Sequence, residues 1–357
     1  MVKVNRYIQN AQAYSSPGWP DNLEDIIRLG MNEGDFISPK VVDFLKEIPL
    51  DIVARHYPPG EIPQLIDTIK ETHDIGKNIE VILYPGSDNA IDNIIRTFSD
   101  PGDTILMRYP EYGNTILFAQ THGLHIHYIK TSPINHLTIQ DIINAHTQHG
   151  GEIIYFSNPH NPSGQWIPPE DIETLANSLS DTLIIVDEAY IHFADLSFKG
   201  VIPIIEKYPN IVVTRTFSKL FGLAGLRIGF AAVHKDLATH LRILQRIKDL
   251  TYLSQMAALK SLEHIEEYRN VAKEIIESRK FVEEELKKLG FEVISPSYGN
   301  FVLFKPTIEP PVLYERLYQR GYITRFYTDK DMKDYMRVSI WRREIMEDFI
   351  KTLKEVL

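Results

Sequence analysis

The sequence predicts an α/β fold, with a large domain on a mostly parallel sheet and a small α/β C-terminal domain. Three observations predict it. From about residue 80, short β-branched runs alternate with stretches of helical period, the pattern of strands joined by crossover helices. The runs are almost continuously apolar, as strands covered on both faces are. After Val233 the character changes to one long charged helix followed by short strands. A chain of 357 residues buries a large core and divides readily into two units.

Composition narrows the class. With 43% hydrophobic and 24% charged residues the chain is ordinary for a globular protein. A net charge of −10 argues against nucleic acid as a partner, since phosphate backbones are met by basic faces. No apolar run approaches a membrane span, and residues 1–14 have no signal-peptide core. Cysteine is absent, which excludes disulfides, zinc–thiolate sites and thiol catalysis. A cytoplasmic enzyme acting on small molecules is the expectation. His122, His125 and His127 lack an acidic ligand set beside them, so no metal is expected.

In chain order, residues 1–30, with Ser15-Ser16-Pro17-Gly18-Trp19-Pro20, read as an irregular arm joining the small domain. The large domain is expected over 31–245, with strands at 80–83, 104–107, 125–129, 152–157, 182–187, 211–217 and 228–233. Ligands of such sheets sit beyond the carboxyl ends of the strands. That brings Ser157, Asp187 and Ser218-Lys219 to one rim. The small domain, 246–357, should hold a helix at 263–288, with Ile265, Tyr268, Ala272, Ile275 and Ile276 at helical spacing. Strands at 291–294 and 301–304, a helix near 312–320, strands at 322–326 and 336–340 and a last helix follow. The cleft between the two domains is the expected site.

Within that frame, Thr216-Phe217-Ser218-Lys219-Leu220-Phe221-Gly222 sets a lysine in apolar surroundings. Burying a lysine is costly unless it is paired or chemically used. Desolvation lowers its pKa, and the free amine then serves as a base or as the nucleophile of a Schiff base. Arg227, always charged, is suited to holding a dianion nearby. Gly86-Ser87-Asp88 opens a helix; such residues cap helices, and the same amides bind phosphate. Ser157-Asn158-Pro159-His160-Asn161-Pro162-Ser163-Gly164 forms a rigid turn. Asp187, at the end of a buried strand, needs a partner.

These segments resemble fold-type I pyridoxal-phosphate (PLP) enzymes, closest to the histidinol-phosphate aminotransferases, from about residue 29 to residue 343. The resemblance implies an aspartate-aminotransferase-like fold with PLP as cofactor, bound covalently to Lys219. It implies that Ser87, Asp88, Thr216, Ser218 and Arg227 hold the phosphate and that Tyr112 stacks on the ring. Asn161, in the family's Asn-Pro-x-Asn-Pro-Thr/Ser-Gly signature, and Tyr190, in Asp187-Glu188-Ala189-Tyr190, would contact the phenolic oxygen. Asp187 would keep the ring nitrogen protonated. Arg337 would grip the substrate carboxylate or phosphate, Arg325 would be a second arginine for a phosphate-bearing substrate, and Asn32 and Asn300 would line the pocket. Tyr57, in Arg55-His56-Tyr57-Pro58, would reach the neighbouring subunit's phosphate, which implies a homodimer.

The reaction implied is transamination from glutamate to a keto or aldehyde acceptor. Two departures touch the acceptor pocket. Residues 248–254 lack the family's Pro-Tyr/Phe-Asn-Val, and the arm lacks its Arg-x-Leu-x-Pro-Tyr. A different phosphate-bearing or carboxylate acceptor therefore stays open. So do a decarboxylase of the phospho-threonine or phospho-serine type and a PLP-binding protein without turnover. Gly222, Gly225 and Gly229 do not make the dinucleotide spacing.

Overall fold

The computed structural model describes residues 2–9, 11, 26–132 and 134–357; the Ser15 to Pro20 stretch of the arm lies outside them. In chain order the strands are β1 (Ile27–Arg28), β2 (Ile79–Tyr84), β3 (Thr104–Tyr109), β4 (His125–Lys130), β5 (Ile153–Ser157), β6 (Leu183–Asp187) and β7 (Ile211–Thr216). They continue with β8 (Gly229–His234), β9 (Glu292–Ile294), β10 (Phe301–Lys305), β11 (Tyr322–Ile323), β12 (Arg325–Phe326) and β13 (Met336–Ser339).

The large sheet has the order β2-β8-β7-β6-β5-β3-β4. It is parallel except for β8, which runs against both β2 and β7. The link from β7 to β8 carries only the 3-10 turn Ala224–Leu226. Parallel pairing needs a crossover, usually a full helix, so here the chain turns straight back. One face is covered by helix Ser87–Phe98, whose Ala90, Ile91, Ile94 and Ile95 form a buried stripe at helical spacing. Helix Pro169–Ser178 covers the other through Ile172, Leu175 and Ala176. Ser157 pairs with Asp187, and Asp187 with Thr214, so the ends of β5 and β6 stand level on one rim and β7 runs two residues further, to Thr216.

The second sheet, β12-β13-β10-β9, is antiparallel throughout. The stretch expected as one strand over 322–326 is two. β11 pairs in parallel with β1, whereas β12 pairs with β13, and buried Thr324 lies between them. The expected helix at 263–288 runs unbroken over Ile265–Lys288, and His264 separates it from helix Tyr252–Glu263. Near its end the arm is stitched to the second sheet by Ser339 N, which donates to Leu29 O at 2.8 Å, and to β11 by Leu29 N, which donates to Ile323 O at 2.7 Å. The first residues take another course, with the Tyr7 ring packed over Gly123 on the large sheet's side.

Candidate active site

Lys219 follows β7 and stands where two cavities meet. The larger, about 670 Å³, is lined by Ser87, Asp88, Asp187, Thr216, Ser218 and Arg227. The smaller, about 280 Å³, is lined by Asn32, Glu111, Arg325, Asp329 and Arg337. Met31, Tyr112, Asn161, Tyr190 and Lys219 border both. The Lys219 amine donates to the Met31 carbonyl at 3.0 Å and lies 5.6 Å from the centre of the Tyr190 ring. The segment after Met31 can come this close because Gly34 has no side chain; a Cβ there would sit 2.2 Å from the Lys219 carbonyl oxygen. Burial, helped by the Arg337 charge, pushes the Lys219 pKa down to about 8.

Asp187 is buried at the tip of β6. Thr214 Oγ1 donates to it at 3.0 Å and the Tyr155 hydroxyl at 3.2 Å. Burial pushes its pKa up to about 6 against these two donors. The Tyr190 hydroxyl accepts from Asn32 Nδ2 at 3.1 Å and Asn161 Nδ2 at 3.3 Å, and burial pushes its pKa up to about 12. Arg337, 7% exposed, donates through Nη1 to Asn161 Oδ1 and through Nη2 to Gly30 O at 2.8 Å. Its Nε is buried without a hydrogen-bond partner. Arg325 faces Arg337 across β12 and β13. Its guanidinium lies 5.9 Å from the centre of the Tyr327 ring.

The far end of the larger cavity is built for an anion. Helix Ser87–Phe98 begins after Gly86, and no side chain caps it, so its first amides are free. Gly86 has φ +85°, and a Cβ on it would lie 2.6 Å from Arg227 Nη2; the glycine lets the guanidinium approach the helix start. Thr216 Oγ1 donates to Ser218 Oγ at 2.9 Å, which puts two hydroxyls beside it. The Asp88 carboxylate accepts from the Tyr112 hydroxyl at 3.3 Å and Asn114 Nδ2 at 3.2 Å and lies 3.7 Å from Arg227 Nη2. A carboxylate repels an anion, so what Asp88 can offer one is its backbone amide in the first helical turn.

The donor set suits the group that the resemblance implies. Free amides, two hydroxyls and a guanidinium match a phosphate dianion, Asp187 a ring nitrogen, and the Lys219 amine an aldehyde. Of the expected residues, all but two line one or both cavities. Asn300, expected to line the pocket, lies behind Asn32 instead, donating to its carbonyl at 3.2 Å. Tyr57 is 83% exposed and borders neither cavity of its own chain. Glu111, Thr214 and Tyr155 were not anticipated. Thr214 was readable, since strand period two puts it on the face of Thr216; Glu111 carried only the signal of an acid next to Tyr112.

The family of class I and II aminotransferases matches residues 24–353. The histidinol-phosphate aminotransferase of Methanocaldococcus jannaschii is 32% identical over 342 residues, covering 94% of this chain and 90% of that protein. That of Geotalea daltonii is 31% identical over 360 residues, with 100% of both chains covered. The solved structure of histidinol-phosphate aminotransferase from Sinorhizobium meliloti in complex with pyridoxal-5'-phosphate shares the fold. Its TM-score is 0.88 at 23% identity, with 100% of this chain and 98% of that one covered. A lysine at the meeting point of two cavities, on a sheet of this topology, thus falls within a known enzyme class: the chain belongs to the class I and II aminotransferases.

Proposed function

We propose that this aminotransferase uses PLP and moves an amino group between glutamate and a phosphate-bearing acceptor of the histidinol-phosphate class. One observation carries most of this: the Lys219 amine, partly shielded and held by the Met31 carbonyl, borders both an anion-lined cavity and an arginine-lined one. When bound, PLP supplies an aldehyde for that amine and a ring that withdraws electrons. Thr216, Ser218, Arg227 and the Ser87 and Asp88 amides hold its phosphate. Asp187 would pair with its ring nitrogen, and Tyr112 would pack on the ring. Tyr190 and Asn161 orient it at the phenolic oxygen. The Lys219 amine would also hold and return the proton of the substrate carbon.

Arg337 takes the substrate α-carboxylate and Arg325 a distal phosphate, which their shared place in the lining of the smaller cavity supports. Relatives that act as histidinol-phosphate aminotransferases support that acceptor class. Asn32 holds the Tyr190 hydroxyl in place, and Asn300 holds Asn32. We also propose residues 31–245 as the cofactor domain and 246–357 as the domain that closes the substrate cavity, a division supported by the two sheets. Mixing the PLP-loaded protein with glutamate tests the reading. The visible cofactor band should fall as the amine form appears, and the phosphorylated keto partner of histidinol phosphate should restore it. An unmoved band would sink it.

Arg337→Ala is expected to raise KM for glutamate about tenfold to a hundredfold, the value of a charge-assisted fork; steady-state kinetics checks this, and an unchanged KM would place the carboxylate elsewhere. PLP uptake by the apoprotein should also depend on pH. Only the neutral amine attacks an aldehyde, and the Lys219 pKa lies at about 8. Stopped-flow absorbance should show uptake rising with pH up to about 8 and levelling above it.

Tyr57 gains a role if two copies pair. Leu50, Ile52, Tyr57, Ile243 and Ile247 are exposed, and Lys248 lies over the Tyr57 ring at 5.1 Å, joining the two segments. A homodimer that buries this apolar surface brings Tyr57 toward the partner's phosphate corner. Sedimentation should show a dimer; a monomer with full PLP affinity would remove Tyr57 from the site. No described helix is long and apolar enough to cross a membrane.

A further inference from the structure

Tyr112 and Asn161 reach the site from two different loops, one after β3 and one after β5. The two strands are hydrogen-bonded neighbours, but their pairing ends at Met107 opposite Tyr155. Beyond that point the backbone ladder no longer ties the loops together, and the side chain of Glu111 bridges the gap. Its Oε1 accepts from Ser157 Oγ at 2.6 Å and from Tyr112 N at 2.9 Å. Its Oε2 accepts from Ser157 N at 3.2 Å. Ser157 Oγ in turn accepts from Asn161 N at 3.1 Å. A second stitch runs from the His160 ring to the Pro110 carbonyl at 2.8 Å, so the loops are joined on either side of Glu111.

We propose that Glu111 is a positioning residue: its carboxylate sets Tyr112 and Asn161 at a fixed spacing, and through them the tilt of the cofactor ring. The inference rests on the PLP reading above. Glu111 is only 8% exposed, and a carboxylate is costly to bury without such donors. A carboxylate suits this place because three donors converge on its two oxygens, and only an ionised acid offers acceptors alone. Burial pushes its pKa up to about 7, opposed by those donors and by Arg108. A glutamine keeps the shape but turns one NH2 toward an N–H or O–H already pointing at it. A role confined to stability would lower the melting point and leave the bound cofactor unmoved.

The test titrates PLP into apoprotein and records the visible circular dichroism of the bound cofactor, which reports its tilt. Glu111→Gln is expected to weaken PLP binding about tenfold and to shrink the dichroic band. Ser157→Ala, which removes the hydroxyl shared by Glu111 and Asn161 N and leaves the two backbone amides on Glu111, should shift both in the same direction, and it stands in if Glu111→Gln fails to fold. Because the two act through one path, the double variant should be little worse than Glu111→Gln alone. Glu111→Gln or Ser157→Ala with a wild-type Kd and band would overturn the inference, whatever the melting point. Wild-type protein that takes up no PLP would overturn the PLP reading, and this inference with it.

Discussion

Lys219→Ala abolishes turnover and the visible absorbance of bound cofactor, while the fold survives. The amine is the group that borders both cavities with the chemistry to attack an aldehyde and to move a proton. Proton transfer by a positioned base contributes about 10²–10⁴-fold, and loss of the covalent anchor adds to that. Turnover should therefore drop by more than about 10⁴-fold. Stability should hold, because shielding a lysine is itself unfavourable and its pKa, held down to about 8, reports that cost. Absorbance, turnover and far-ultraviolet circular dichroism check the three parts. Full activity in this variant would refute the mechanism.

Asp187→Asn comes next in size. Thr214 and Tyr155 donate to the carboxylate and fix it at the strand tip. An amide there presents one NH2 to donors and removes the charge that keeps a ring nitrogen protonated. Loss of one preorganised electrostatic partner costs about 10²–10³-fold in kcat. KM for glutamate should change little, because Asp187 borders the larger cavity and not the arginine-lined one. The split separates it from Arg337→Ala, which acts on KM. A kcat within threefold of wild type would mean that the ring nitrogen is served by another group.

How much of this was legible in the sequence differs between strand and contact. β6 was expected at 182–187 and runs Leu183–Asp187, because a continuous β-branched run bounded by turns has few other readings. Lys219 and Asp187 were singled out because a charged side chain just after or at the end of such a run is costly to bury, and Asn161 because its Asn-Pro turn resembles a family signature. Strand direction is not written in periodicity, so the reversal of β8 could be learned only from its pairing. The split at Thr324 depends on two different partners for neighbouring residues.

Contacts between distant segments were the hardest to read. The Met31 carbonyl that holds Lys219 lies 188 residues away in the chain, and a carbonyl has no sequence signal at all. Glu188 stood in a recognised motif, yet its ion pair with Arg215 at 2.6 Å, both side chains fully buried, had no spacing to announce it. Glu111 was passed over because its three donors come together only when two loops fold side by side.

Reduction of the PLP-loaded protein with borohydride, followed by peptide mapping, tests the central claim most directly. The reagent locks the cofactor onto whichever amine holds it. The account predicts one phosphopyridoxyl group per chain, on the peptide that contains Lys219. Label on another lysine, or none on a protein that still turns over, would contradict it.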